Sequence, residues 1–173
     1  ANAFDKILPE EYIVHGHKIK ADLNRVSGIS NDKISVIPFG GIPIKNIKEF
    51  DKIPERENTV LFFGRIWPYK GLEYLIKAEP LIRAKIPNIK IIIAGSGESI
   101  EKYTDLIRRK ESFEIINEHI SPEKAMSLFK SSSLVVLPYV EATQSGIPPM
   151  AFQFGKPVVV TDVGALTDIV EDG

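Results

Sequence analysis

The chain has 173 residues, 43% of them hydrophobic, with 22 basic and 23 acidic side chains for a net charge of −1, and no cysteine. That length supports one substantial core, and the near-zero charge excludes a global basic field for nucleic acid, so an anionic ligand must be met by a local cluster. The lack of cysteine excludes a disulfide framework and thiolate metal sites, and it suits a reducing cytoplasm.

Along the chain, the N-terminal ANAFDKILPEEY lacks the basic-then-apolar profile of a secretory signal. Residues 1–57 carry short apolar pieces, YIV and ISVIPF, around one helical pattern. In that pattern Ile19, Leu23 and Val26 recur at helical spacing, and Gly28 is placed to end the helix. The polar, proline-bearing segment 40–57 reads as a surface linker.

From Asn58 onward strands and helices alternate. TVLFFG reads as a buried strand, followed by the helix GLEYLIKAEPLIRAKI. Its expected core face is Leu72, Leu75, Ile76, Leu81, Ile82 and Ile86, and Pro80 is placed to kink it. The next strands are NIKIIIAG, SFEII, SLVVLPY and KPVVVT. Helices are expected over SIEKYTDLIRRK, SPEKAMSLFKSS and residues 146–154, with a short one in ALTDIVEDG. Ser121-Pro122-Glu123 supplies a cap, a first-turn proline and a first-turn acid. No apolar run approaches the roughly 18–20 residues that span a bilayer. The expected fold is α/β, a Rossmann-like parallel sheet flanked by helices on both faces. Ligands of such sheets lie beyond the carboxyl ends of the strands.

Three strand ends carry chemistry. After the first strand, Gly64 permits close backbone approach, Arg65 offers a planar fork, and Lys70 offers a mobile point charge just before a helix. Two readings fit this loop, a phosphate site and a solvated turn whose cations cap carbonyls. Trp67 and Tyr69 fit either a stacking surface or a turn anchor. The second strand end, AGSGE, contains Gly95 and Gly97, but Ile100 stands where a dinucleotide fingerprint needs its third glycine, which favours a tight strand-to-helix turn. At the third, PYVEATQSGIPP, Glu141 follows a strand and Thr143, Gln144, Ser145 and Gly146 precede a helix. That suits a diphosphate with a carboxylate near sugar hydroxyls, or a simple capping segment. His15, His17 and His119 are not spaced for a shared metal.

Taken in order, FFGRIWPYKG, IIIAGSG, ISPEKAMSLFKSSSLVVLPY and FGKPVVVTDVGALTDIVEDG resemble the donor-binding domain of retaining, nucleotide-sugar-dependent glycosyltransferases of the GT-B fold, in glycosyltransferase family four. The resemblance covers residues 58–173. Residues 10–43 resemble the stretch that ends the acceptor half, so residues 1–57 are expected to close that domain and link it to the donor domain. The larger acceptor domain would lie upstream, and the chain stops where such proteins continue into further strand and helix. The isolated fragment is therefore expected not to turn over.

The resemblance implies roles by position. Arg65 and Lys70 match the basic pair that holds the donor diphosphate and stabilises the leaving group, with Gly64 in the same loop. Gly95 and Gly97 fall in the second donor loop, and Ile120 matches the segment whose backbone meets the base. Ser145 and Gly146 would give N–H groups to the diphosphate. The family often has two glutamates eight apart. Here the positions hold Ala142 and Met150, while Glu141 sits one place early and is kept as a sugar or ribose contact. The implied substrate is a UDP- or GDP-sugar, with no cofactor and no metal. The implied partner is a glycan or lipid-linked acceptor in cell-surface polysaccharide synthesis, at a cytoplasmic location that includes the inner face of the membrane. Rival expectations are another GT-B enzyme, an epimerase or phosphorylase, and a non-catalytic Rossmann-like binding module.

Overall fold

The computed structural model describes residues 9–41, 43–44 and 46–172. Two short strands, β1 (Tyr12–Val14) and β2 (Ile34–Val36), pair in parallel, with helix α1 (His17–Ser27) as the crossover between them. Gly28 ends α1 in the left-handed region and returns its N–H to the Asn24 carbonyl at 2.9 Å, as its placement predicts. Ile19 and Leu23 are half-buried, but Val26 is 78% exposed and is no part of a core.

The main sheet has five parallel strands in the order β5-β4-β3-β6-β7. They are β3 (Thr59–Phe63), β4 (Lys90–Ala94), β5 (Phe113–Ile116), β6 (Leu134–Leu137) and β7 (Val158–Val160). Because side chains alternate along a strand, the apolar runs feed two cores at once. Leu61, Ile92, Val135 and Leu137 face one side and pack with Phe129 and Phe154 beneath helices α3 (Pro122–Ser131) and α4 (Ile147–Gln153). Val60, Phe62, Ile91 and Ile93 face the other side and pack with Leu72, Leu75 and Ile76 of helix α2 (Leu72–Lys85). This is the Rossmann-like α/β sheet that the alternating pattern predicts. Ser121 caps α3 as expected, accepting from the Lys124 N–H at 3.2 Å.

Three expectations differ from the structure. Leu81 is 75% exposed and Ile86 lies beyond the end of α2. Leu81 is nine residues from Leu72, two and a half turns at about 3.6 residues per turn, and so points the opposite way. Glu79 takes the core-facing position instead, 1% exposed, accepting from Ser112 Oγ at 2.6 Å and Arg83 Nε at 2.8 Å. Secondly, the helices expected over SIEKYTDLIRRK and ALTDIVEDG form as 3-10 turns, Ile100–Leu106 and Thr167–Ile169. In the first of these the apolar residues Ile100, Tyr103 and Leu106 recur every third position, the repeat of a 3-10 helix. Thirdly, the linker segment 40–57 lies at the surface as expected, but its described residues are also anchored to the domain. Ile44, Ile47 and Phe50, again three apart, pack on the core, and the Phe50 and Phe154 rings meet edge to face at 6.3 Å. Glu55 pairs with the buried Lys156, and the Arg56 N–H bonds the Ser131 carbonyl at 2.7 Å.

Removing the buried carboxylate with Glu79→Ala leaves the Ser112 hydroxyl unsatisfied and Arg83 unpaired. A loss of about 2–3 kcal/mol is expected in urea unfolding, while Glu79→Gln, which keeps an acceptor, is expected to recover most of it.

The strand order reverses between β3 and β6, and the ladder joining them ends at Leu61↔Val135, short of Phe63. A crevice at the carboxyl ends follows from that reversal. Among the described residues no helix is long and apolar enough to cross a membrane.

Candidate functional site

Above this crevice the loops after β3, β4 and β6 are held by backbone contacts. The loop after β3 runs alongside the loop after β4. Gly64 N–H bonds the Ala94 carbonyl at 3.0 Å, Ile66 N–H bonds Ser96 O at 2.9 Å, and Glu98 N–H bonds Ile66 O at 2.8 Å. Ile66 is fully buried, so Arg65, its neighbour in an extended segment, is turned outward and exposed. Gly95 makes this apposition possible. Its φ is +151°, and a Cβ there would stand 1.7 Å from the Gly64 carbonyl oxygen. Gly97 lies in the same seam, bridged to Ile66.

Lys70 closes a 3-10 turn (Pro68–Lys70), and Gly71 follows with φ +65°. The turn is fastened to the loop after β6: Val140 N–H bonds Tyr69 O at 2.8 Å, and a Cβ on Gly71 would meet Pro138 O at 1.8 Å. Lys70 is thereby set against the buried Tyr139, its ammonium 3.7 Å from the ring centroid. The Tyr69 ring lies at 5.1 Å from the same ammonium. Burial first, and the charge of Arg65 second, push the Lys70 pKa down to about 8. Burial likewise pushes the Tyr139 phenol up to about 12, although its hydroxyl lies 3.3 Å from Ser145 Oγ. Ser145 Oγ also accepts from the Ile147 N–H at 3.3 Å.

These groups surround a cavity of about 410 Å³ walled by Gly64, Arg65, Lys70, Tyr69 and Phe63 on one side and by Tyr139, Gln144, Ser145, Gly146 and Ile147 on the other. Among the described residues neither Arg65 nor Lys70 pairs with a carboxylate. Two uncompensated cations facing one cavity attract a polyanion, and a partly desolvated setting strengthens that attraction.

Phe63 also borders a second cavity, of about 710 Å³, whose wall includes Ile120, His119, Phe50, Met126 and Met150. The structure thus brings Gly64, Arg65, Lys70, Ser145 and Gly146 together and puts Ile120 next door, with Met150 in that same apolar wall. Gly95 and Gly97 lie behind the Arg65 loop and shape it through the backbone. Glu141 stands outside the lining of the smaller cavity, its side chain exposed and its N–H 3.4 Å from Tyr69 O. Sequence reasoning missed Tyr139 as a site residue. It reads only as the end of an apolar strand, and no local spacing ties it to a lysine 69 residues earlier (139 − 70 = 69).

Residues 57–173 match the family profile described as glycosyl transferases group 1. An uncharacterised glycosyltransferase of Methanocaldococcus jannaschii is 29% identical over 93% of this chain and 44% of its own length. The lipopolysaccharide 1,2-N-acetylglucosaminetransferase of Salmonella typhimurium is 27% identical over 99% of this chain and 50% of its own. The chain therefore spans about half the length of these relatives. Among solved structures, a variant of S. aureus TarM in complex with fondaparinux, alpha-GlcNAc-glycerol and UDP superposes with a TM-score of 0.75. It shares 23% identity, over 94% of this chain and 32% of that one.

Proposed function

Because the chain belongs to the glycosyl transferases group 1 family, we propose that it is the donor-binding part of a retaining glycosyltransferase acting on a UDP- or GDP-sugar. The acceptor in this reading is a glycan or lipid-linked sugar of a cell-surface polysaccharide, elongated at the cytoplasmic face of the membrane. A relative that acts on lipopolysaccharide supports that acceptor class. The observation that carries the donor reading is the meeting of Arg65 and Lys70, neither paired with a carboxylate among the described residues, on the cavity closed by Ser145 and Gly146.

The chemistry follows from charge. When the sugar–phosphate bond breaks, negative charge builds on the departing diphosphate. Cations fixed beforehand stabilise that charge without reorganising during the step. Arg65 presents parallel N–H donors to phosphate oxygens, and Lys70 adds a point charge from the half-buried side. The larger cavity, reached past Phe63, is where the nucleoside would lie. Its Met150 wall offers packing to the ribose where a carboxylate would offer hydrogen bonds.

Isothermal titration of the chain with UDP, GDP and their sugars tests the reading, and failure of every one of them to bind ends it. A pH series adds a second check. Lys70, with its pKa lowered to about 8, is charged below that value and neutral above it. Diphosphate affinity is therefore expected to fall as pH rises from 7 to 9.5, and Lys70→Arg, which stays charged, is expected to flatten the fall.

A further inference from the structure

We propose that Tyr139 is a positioning residue for Lys70, its ring face holding the ammonium over the diphosphate cavity in the absence of ligand. The proposal rests on the donor-binding reading and adds to it the means by which the lysine is kept ready.

A lysine that must meet a polyanion faces a conflict. Left free, its long side chain samples many rotamers and must be ordered on binding, at a cost. Held by a carboxylate, it would be ordered, but the ligand would then have to displace that carboxylate. An aromatic face resolves the conflict, because it attracts a cation and brings no competing negative charge. The Lys70 ammonium lies 3.7 Å from the Tyr139 centroid. No carboxylate among the described residues pairs with it, and the neighbouring charged group is Arg65, of like sign.

Tyr139 is fixed by burial and by bonds at its hydroxyl and its backbone carbonyl. Tyr139 is 2% exposed, its hydroxyl meets Ser145 Oγ at 3.3 Å, and its carbonyl accepts from Thr161 Oγ1 at 2.5 Å. The backbone beside it carries the bond from Val140 N–H to Tyr69 O, so the residues flanking both partners are joined directly. Tyr69, by contrast, is 40% exposed and its ring is farther from the ammonium, at 5.1 Å. The holding role belongs to Tyr139. Burial and the like charge of Arg65 lower the Lys70 pKa, and the attraction of the ring for the ammonium works against both.

The test is a double-mutant cycle read by isothermal titration of the chain with UDP and with GDP, with thermal melts as the folding control. Tyr139→Leu is expected to weaken binding by roughly tenfold, the scale of a partly desolvated cation–ring contact. Tyr139→Phe, which restores the ring without the hydroxyl, is expected to recover most of that loss. In a Lys70→Ala background, Tyr139→Leu is expected to cost almost nothing further. Losing the ring also removes a contact that favours the charged lysine, so the midpoint of the pH-dependent fall in affinity moves to lower pH in Tyr139→Leu.

Three results overturn the proposal while leaving the donor reading intact. They are an equal loss from Tyr139→Leu with and without Lys70, no recovery in Tyr139→Phe, or a midpoint that stays put or rises. Should Arg65→Ala and Lys70→Ala both leave UDP and GDP binding unchanged, the donor reading itself falls, and the positioning role with it.

Discussion

Replacing Arg65 and Lys70 together by alanine is expected to bring UDP and GDP binding below the range of isothermal titration. Hydrogen bonds to a charged group contribute about 1.5–3 kcal/mol each, so each single change is expected to weaken binding by roughly tenfold to a hundredfold. Arg65 is exposed and screened by solvent, which places it toward the lower figure. Lys70 is half-buried between rings and should show the larger loss. Among the described residues neither side chain pairs with a carboxylate, so Arg65→Ala should barely change the melting temperature, while Lys70→Ala gives up only its ring contact with Tyr139. A variant that binds UDP or GDP as well as the parent chain would sink the assignment of this cavity to the diphosphate.

Gly95→Ala is expected to give the largest loss of stability among single changes at the strand ends. The added methyl would stand 1.7 Å from the Gly64 carbonyl oxygen, at a φ of +151° that side chains rarely adopt. Overpacking and an unfavourable backbone region together cost about 3 kcal/mol. That is a fall of roughly 6–12 °C in melting temperature for a chain of this size. Relief can come only by separating the two loops, which breaks the bond from Ile66 N–H to Ser96 O and swings Arg65 away from the cavity. Stability and diphosphate affinity should therefore fall together. Gly40→Ala, where a Cβ meets nothing within 4 Å, serves as the neutral control.

Much of the fold is legible in the chain because strands buried on both faces must be apolar throughout. TVLFF and KIIIA announce themselves for that reason, and the Ser121-Pro122 start of α3 does so through its cap. Element type is ambiguous in the sequence where the repeat is three. Ile100, Tyr103 and Leu106 in the turn Ile100–Leu106, like Ile47 and Phe50 in the turn Ile47–Lys52, satisfy a 3-10 turn as well as part of an α-helical pattern or a loop, and the packing beneath them makes the choice. Leu81 fits the core face by pattern and yet lies outside it, because a long helix of mixed composition offers several apolar faces, and only the sheet selects which one is covered.

The residues of the candidate site divide in the same way. Arg65, Lys70, Ser145 and Gly146 could be marked from sequence because charge, hydroxyl and glycine at a strand end are local signals of anion chemistry. That they face one cavity of about 410 Å³ is a property of the strand order, which places β6 beside β3 although 70 residues separate their ends (134 − 63 = 71, less one). The glycines of AGSG carry a local signal for a turn, yet their work, letting one backbone lie against another, depends on what comes to lie there. Tyr139 carries no signal at all until the fold sets its ring under Lys70. Composition and local pattern thus determined the sheet, the caps and the charges. Tertiary structure alone decided which of them meet, because contacts between distant segments depend on topology, and the periodicity of any one segment does not encode it.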